Sequence, residues 1–250
     1  MQDSGIEKLS LFCVLHTTNQ WTMSTTKLNL TTIFLVVAIT SFCQEKVDSA
    51  VIEKNRKRWN NSLIHDTTYV FNKKPNALLV ETVKGKKTGR ALDIGMGQGR
   101  NSIFLAQQGW QVTGFDIADE AVNVALQEAR KNKVQIETRI IPEEAFDFGI
   151  DQWDLVVNVY EGCLDEIKMN WVAKSMKKNG LFVFEFFHNE AGKEMGRPNF
   201  GCTSANVKDV VEKTKAFDIS FYKEEIGMPD YSGHEAAKEM KLIKLVAQKK

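Results

Sequence analysis

The chain has 250 residues, enough for one α/β domain with an N-terminal extension. Its hydrophobic fraction of 43% and charged fraction of 26% are ordinary for a globular protein, and no acidic block indicates a disordered tail. The net charge is +1 with acids and bases mixed along the chain, so we expect no nucleic acid partner.

Four cysteines, at positions 13, 43, 163 and 202, lack the paired spacing of a zinc site. We therefore expect no metal. We predict that Cys163 and Cys202 are buried and act as small apolar side chains.

Residues 1–43 are predicted to be an N-terminal extension. The apolar stretch 28–43 follows Lys27 and ends in small residues, which fits a secretory signal cleaved after Cys43 and starting at Met23. A membrane anchor is the alternative, because basic residues follow the stretch and favour a cytosolic C-terminal side, although the stretch is short for a bilayer span. We expect export to the periplasm or the medium if the signal is cleaved, and otherwise a cytoplasmic-facing anchored protein or a cytoplasmic one.

Residues 44–86 are predicted to form a helical cap or lid. Apolar residues lie along one side of a helix within 47–65, and Asn76 can cap a second helix over 77–83. Three side chains between these helices are candidates to close over a ligand: Tyr69, Phe71 and Asn72.

From Arg90 onward, strands and helices alternate. The predicted strands are 91–94, 111–116, 135–141, 153–159, 181–187, 217–225 and 241–248, and the predicted helices are 101–108, 120–132, 165–178 and 204–215. Such alternation predicts an α/β fold with a mostly parallel seven-stranded sheet and helices on both faces. The last two strands lack a helix between them, so a C-terminal hairpin would place one antiparallel strand in the sheet.

A glycine loop follows the first of these strands. Residues 91–122 read ALDIGMGQGRNSIFLAQQGWQVTGFDIADEAV, and Gly95, Gly97 and Gly99 allow a sharp turn and close approach to a ligand. Asp116 ends the next strand, where an acid can accept both hydroxyls of a ribose. Arg100 replaces the third glycine of a nicotinamide-binding loop, and Asp93 beside the loop suits a cationic amino group better than a pyrophosphate.

This run resembles motifs I and II of class I S-adenosylmethionine (SAM) dependent methyltransferases, and about 70–250 resembles their Rossmann-like fold end to end. The version GQGRNS, with Leu105, Ala106 and Gly109, is most similar to the tellurite-resistance type. The resemblance implies a SAM-binding methyltransferase domain over 87–250 that acts on a small-molecule acceptor. It also implies contacts to SAM: the methionine part with Asp93, Gly95, Gly97 and Gly99, the ribose with Asp116, and the adenine with Ile117.

The stretch IIPEEAFDFG departs from the family, which usually has an Asp after strand three, so Glu143 or Glu144 is the candidate for the adenine amino group. After strand four the chain reads NVYEG, and this edge faces the methyl group and the acceptor in the family. Candidates there are Asn158 beside the cofactor, Tyr160 as a catalytic residue, and Glu161. The stretch NVYEG differs from the Asn-Pro-Pro-Tyr sequence of enzymes that methylate nucleic acids or protein amides, which argues against those acceptors.

Glu185 and His188, at the end of strand five, lie on the same edge. His188 is a candidate catalytic base, with a satisfied loop histidine as the alternative, and Arg100 either contacts the acceptor or pairs with a carboxylate. The sequence reveals no convincing base constellation, which favours a soft nucleophile or an acceptor deprotonated beforehand. A non-catalytic SAM-binding or sensing protein is the alternative function, because export would separate the domain from cytosolic SAM.

Overall fold

The structure is a computed structural model that describes residues 49–67, 72–230 and 238–250. The helices in chain order are α1 Ser49–Asn60, α2 Ala77–Val83, α3 Arg100–Gln107, α4 Asp119–Lys131, α5 Glu166–Ser175, α6 Asn189–Glu194 and α7 Ser204–Lys213. The strands are β1 Arg90–Ile94, β2 Gln111–Asp116, β3 Glu137–Ile140, β4 Trp153–Val159, β5 Met176–Phe187, β6 Phe217–Gly227 and β7 Met240–Lys249.

The seven strands form one sheet in the order β3-β2-β1-β4-β5-β7-β6. The pairs among β1 to β5 are parallel, and β7 is antiparallel to both β5 and β6. The predicted sheet with its C-terminal hairpin is confirmed. This order puts the carboxyl ends of β1, β2 and β4 side by side, where α/β proteins bind ligands.

Helices cover both faces of the sheet. Met169 of α5 and Val207 of α7 pack on one face with Val156 of β4, and Leu79 of α2 and Leu105 of α3 pack on the other with its neighbour Leu155. Successive residues of a strand point to opposite faces, so β4 contributes to both halves of the core.

Most element boundaries lie within a few residues of the prediction, and strands β5 and β3 differ in ways that the sheet explains. Strand β5 begins at Met176, inside the predicted helix 165–178, because Met176 pairs with Trp153 of β4 and the sheet overrides local helix propensity. Strand β3 is shorter than predicted, and it lies at the edge of the sheet with only β2 as a neighbour. The short helix α6 was not predicted.

The N-terminal helices match the prediction where the structure describes them. Helix α1 continues into a π-helical turn, Asn61–His65, and the Asn76 side chain caps α2 by accepting from the Leu79 amide at 3.0 Å. The extension 1–43 and two lid candidates, Tyr69 and Phe71, lie outside the described residues. Within the described ranges, no helix is long and apolar enough to cross a bilayer.

Cys163 and Cys202 form a disulfide, with their Cα atoms 5.5 Å apart, so the prediction of two small apolar side chains is wrong. Cys202 is buried, whereas Cys163 is exposed. Cys163 lies in the loop after β4. A backbone β-bridge between His188 and Cys202 holds the second cysteine at the end of β5, the strand next to β4. The pairing depends on this tertiary approach, which sequence spacing does not reveal.

Candidate functional site

A cavity opens at the carboxyl ends of β1, β2 and β4. Its wall includes parts of the glycine loop, the end of β2, the turn after β3, the residues after β4, and helix α1. Among the lining residues are Gly95, Gly97, Asp116, Ile117, Glu143, Glu144, Tyr160, Glu161 and Trp59. Most of the side chains predicted for the site therefore meet in one place.

The glycine loop shapes the cavity by leaving space. Gly95, Gly97 and Gly99 all have positive φ, at 63°, 51° and 78°, which L-residues with side chains adopt at a cost. A Cβ on Gly95 would overlap the Glu161 carboxylate, so this side chain would have to move away from the loop. Gly99 does not line the cavity: a Cβ there would lie 2.8 Å from Ala125 of α4, so Gly99 serves the packing of α3 on α4.

Asp116 ties the glycine loop to β2. Its Oδ2 accepts from the Gly97 amide at 2.8 Å, and its Oδ1 accepts from the Ala118 amide at 2.8 Å. Burial raises the pKa of Asp116, and the three backbone donors, including Ile117, oppose this shift. Each carboxylate oxygen can accept a second hydrogen bond, so Asp116 keeps acceptor capacity toward the cavity that it lines.

Asp93, predicted to meet the cofactor, does not line the cavity. It is only 2% exposed, and its Oδ2 accepts from the Ser102 hydroxyl at 2.6 Å, which fixes the first turn of α3. Burial raises the pKa of Asp93 to about 6.

Glu161 is the carboxylate that faces the glycine loop. Its side chain is open to the cavity but has protein on its other sides, and this desolvation, with the charge of Asp116, raises the pKa of Glu161 to about 8. From the sequence, Glu161 was predicted to lie at the edge of the reaction centre, and its contact with the glycine loop was not predicted.

Glu143 lines the cavity at the turn after β3 and carries a carboxylate oxygen without a partner among the described residues. Its Oε2 pairs with Lys168 at 2.9 Å, and both side chains are largely buried. Its buried Oε1 has no hydrogen-bond partner within the described part of the chain. Burial raises the pKa of Glu143, while the Lys168 charge opposes the shift. Ile117 and Glu144 also line the cavity.

The structure does not bring Asn158 or His188 to the cavity wall. Asn158 is fully buried in β4, and its amide atoms have no hydrogen-bond partner among the residues described. His188 caps α6, because its Nδ1 accepts from the Glu190 amide at 3.2 Å. Burial lowers the pKa of His188, so the ring is a neutral structural cap, as in the alternative interpretation.

Tyr160 lines the cavity from a strained backbone position, with φ at 61°. Its hydroxyl donates to Glu185 Oε1 at 2.6 Å, and burial together with Glu185 raises the pKa of Tyr160 well above its usual range. Arg100 also lines the cavity, and it pairs with Asp230 at 3.0 Å, as the carboxylate interpretation of this residue predicts.

Helix α1 and the π-helical turn form one side of the cavity. Trp59 and Leu63 line it, and the Gln98 side-chain amide donates to the Leu63 carbonyl at 2.7 Å. Asn60 donates to Asp119 at 2.7 Å at the start of α4. The apolar side of the helix predicted within 47–65 indicated a contact with the rest of the domain, and Trp59 lies on that side.

Comparison with known proteins agrees with this geometry. Residues 91–180 match a family model described as a methyltransferase domain. The chain is similar to the ribosomal RNA small subunit methyltransferase C of Alcanivorax borkumensis, at 36% identity over 33% of this chain and 26% of that protein. It is also similar to the ubiquinone biosynthesis O-methyltransferase of Bordetella avium, at 34% identity over 42% of this chain and 45% of that protein. The chain thus spans less than half the length of these two relatives.

Among solved structures, the fold is similar to that of the N-methyltransferase NodS from Bradyrhizobium japonicum in complex with S-adenosyl-L-homocysteine. The TM-score is 0.59 at 15% identity, over 78% of this chain and 97% of that one. At this identity the likeness shows the fold alone. The fold is therefore the Rossmann-like fold of methyltransferases, and the segment 91–180 that matches the family model carries the glycine loop, Asp116, Glu143 and Tyr160.

Proposed function

We propose that this protein is a SAM-dependent methyltransferase of class I that acts on a small-molecule acceptor. The observation that carries the proposal is the cavity between the glycine loop and Asp116, which lies inside the segment matched by the methyltransferase family. The loop sequence GQGRNS supports membership of the tellurite-resistance branch as a finer proposal.

The side chains around the cavity fit the chemical parts of SAM. Glu161 would attract its cationic methionine end, and Asp116 would accept its ribose hydroxyls. The carboxylate of Glu143, whose Oε1 has no partner among the described residues, would accept from the adenine amino group, beside the apolar surface of Ile117. When bound, SAM supplies a methyl group already activated as a sulfonium, so the protein mainly positions the acceptor and excludes water.

Charge supports a small-molecule acceptor over a nucleic acid. Nucleic acid binding depends on cations that neutralise phosphates, whereas the net charge here is +1. Four acids line the cavity: Asp116, Glu143, Glu144 and Glu161. The cation Arg100, which also lines it, is paired with Asp230.

Two measurements on the purified protein test this function. Isothermal titration should detect SAM binding, which Asp116→Ala weakens by about 1–3 kcal/mol because a charged hydrogen-bond acceptor is lost. Asp218→Ala, at an exposed acid of β6, is the matched control and should bind normally. Transfer of labelled methyl to small molecules, but not to total RNA, is expected.

An unchanged dissociation constant for folded Asp116→Ala would contradict the proposed site. Tight SAM binding with no transfer to any acceptor would favour the alternative, a sensing protein without turnover.

We also propose export of this protein, with residues 1–43 as the extension, 44–86 as the lid and 87–250 as the catalytic domain. The apolar stretch 28–43 supports export, and so does the disulfide, because disulfides persist in oxidising compartments. Mass spectrometry of the mature N-terminus from the native host tests this proposal. A start near Gln44 supports export, and a start at Met1 or Met23 contradicts cleavage.

A further inference from the structure

Tyr160 and Glu185 form a hydrogen-bonded pair directly behind the cavity wall. Tyr160 reaches the cavity itself, and its hydroxyl donates to Glu185 Oε1 at 2.6 Å. Glu185 is only 2% exposed, so solvent does not compete for this carboxylate. The pair therefore connects the site to a buried proton acceptor.

The carboxylate of Glu185 is fixed in one orientation. Asn76 donates to its Oε2 at 3.0 Å, and Lys244 Nζ lies 3.8 Å from the same oxygen. Asn76 is itself held, because its backbone amide donates to Asn101 at 2.9 Å and its side chain caps α2. With Oε2 occupied in this way, Oε1 is directed at Tyr160.

The backbone holds Tyr160 in register with Glu185. The Tyr160 amide donates to the Glu185 carbonyl at 2.9 Å, so the two residues are joined through main chain and side chain alike. This arrangement persists although Tyr160 has positive φ, a conformation that clusters at functional sites in proteins.

We propose that Tyr160 and Glu185 act as a proton relay for an acceptor that keeps its proton until attack, that is, a hydroxyl or amine group. The proposal rests on the proposed function. As the acceptor atom bonds to the methyl carbon, the carbon–sulfur bond breaks and sulfur keeps the electron pair. The acceptor's proton moves to Tyr160 Oη, and the proton of Tyr160 moves to Glu185 Oε1.

The relay makes Tyr160 the catalytic residue and Glu185 the terminal proton acceptor. A phenolic oxygen both donates and accepts hydrogen bonds, so Tyr160 can take one proton while it gives another. A thiolate needs no such group, because it is already deprotonated. From the sequence, no catalytic base was recognised and a soft nucleophile was the expected acceptor. With the Tyr160–Glu185 pair, the expected acceptor is a hydroxyl or amine group.

Glu185 must be ionised in the free protein for the relay to operate. Burial, together with the charge of Asp230, raises the pKa of Glu185 above its ordinary value, and Asn76, Tyr160 and Lys244 oppose this shift. Carbon-13 NMR of the side-chain carboxyl, assigned with Glu185→Gln, measures this titration without any turnover. The relay predicts an ionised Glu185 at neutral pH, and a higher pKa in Tyr160→Phe because a donor to the charged form is lost.

The kinetic test uses wild type, Tyr160→Phe and Glu185→Gln with a panel of phenols, amines and thiols. Both variants should lose about a hundredfold in kcat on phenols that keep their proton at the assay pH. They should lose at most about threefold on nitrophenols that are ionised at that pH, since no base is needed there. A matched control is Tyr222→Phe, which removes a hydroxyl that donates to Glu224 at 2.9 Å outside the cavity, and it should leave all rates unchanged.

Four outcomes overturn the relay in protein that binds SAM by calorimetry. They are a Glu185 protonated at neutral pH, equal losses on both kinds of phenol, no loss in either variant, and turnover restricted to thiols or absent from the whole panel. Lack of SAM binding by the wild type would instead overturn the proposed function, so the two failures are distinguishable.

Discussion

Single residues decide which groups face the cavity. Gly95 leaves room for Glu161, and Asp116 fastens the loop through the Gly97 amide. The sequence predicted the sharp glycine turn and an acid at the end of β2, because both depend on local geometry at a strand end, but it did not predict the bond from the Gly97 amide to Asp116. The sequence also did not reveal that Glu161, and not Asp93, faces the glycine loop. The Ser102 hydroxyl binds Asp93 only once α3 is in place.

Replacing Gly95 with alanine tests whether the cavity wall at this position must lack a side chain. Gly95→Ala and Gly85→Ala both place a side chain at positive φ, at 63° and 68°, and both should lose about 1–2 kcal/mol of unfolding free energy. Only Gly95→Ala should also lose SAM binding, because its Cβ would displace the Glu161 carboxylate, whereas Gly85 has open space. Urea unfolding and calorimetry measure the two effects. Equal SAM affinity in both variants would count against the placement of the cofactor.

We expect SAM binding to depend on pH through the charge of Glu161. Its pKa of about 8 in the free protein means that the carboxylate is protonated below that pH and attracts a cation above it. SAM affinity should therefore rise about three- to tenfold as the pH passes upward through this value, a modest change because water in the cavity screens the pair. Calorimetry at several pH values checks this rise.

The rise should vanish in Glu161→Gln and persist in Glu166→Gln, at an exposed acid paired with Lys213. A pH-independent wild type would show that Glu161 does not face the cation.

Among the elements, helix α1 covers one side of the cavity. It is joined to the domain by the bonds from Asn60 to Asp119 and from Gln98 to Leu63. The sequence predicted the helix from its apolar spacing, but its contact with the cavity required the folded domain. The same limit explains the boundary between α5 and β5, where Met176 joins the sheet by pairing with a residue distant in the chain.

Replacing Trp59 with alanine tests whether α1 covers the bound ligand. Trp59→Ala should weaken SAM binding by about 1–2 kcal/mol, mainly through faster release, because a large apolar surface no longer covers the ligand. Stopped-flow displacement measures the rate. Val51→Ala, at an exposed site of the same helix, is the control and should release SAM at the wild-type rate. Identical release from both variants would assign Trp59 to packing alone.

At the scale of the whole molecule, one disulfide links the loop after β4 to the segment before α7. Cys163 lies two residues after Glu161, so the crosslink also restrains an edge of the site. The parallel sheet with its terminal hairpin followed from the order of elements in the sequence. The disulfide did not, because residues separated by 39 positions meet only after the sheet has formed.

Removing the disulfide should destabilise the protein by about 2–4 kcal/mol, because the unfolded chain gains conformational freedom. Urea unfolding with and without a phosphine reductant measures this loss in the wild type. The Cys163→Ser/Cys202→Ser double variant should show the lower stability and no response to reductant. A wild type that unfolds identically under both conditions would contradict a structural role for the crosslink.

The cavity beside the glycine loop is proposed to bind the nucleoside of SAM. A crystal structure of the protein with S-adenosyl-L-homocysteine tests it most directly. The nucleoside should occupy the space next to Gly95 and Gly97, with its ribose hydroxyls on Asp116 and its adenine near Glu143. Binding at any other place, or a cavity without the nucleoside in crystals grown at saturating ligand, would contradict the account.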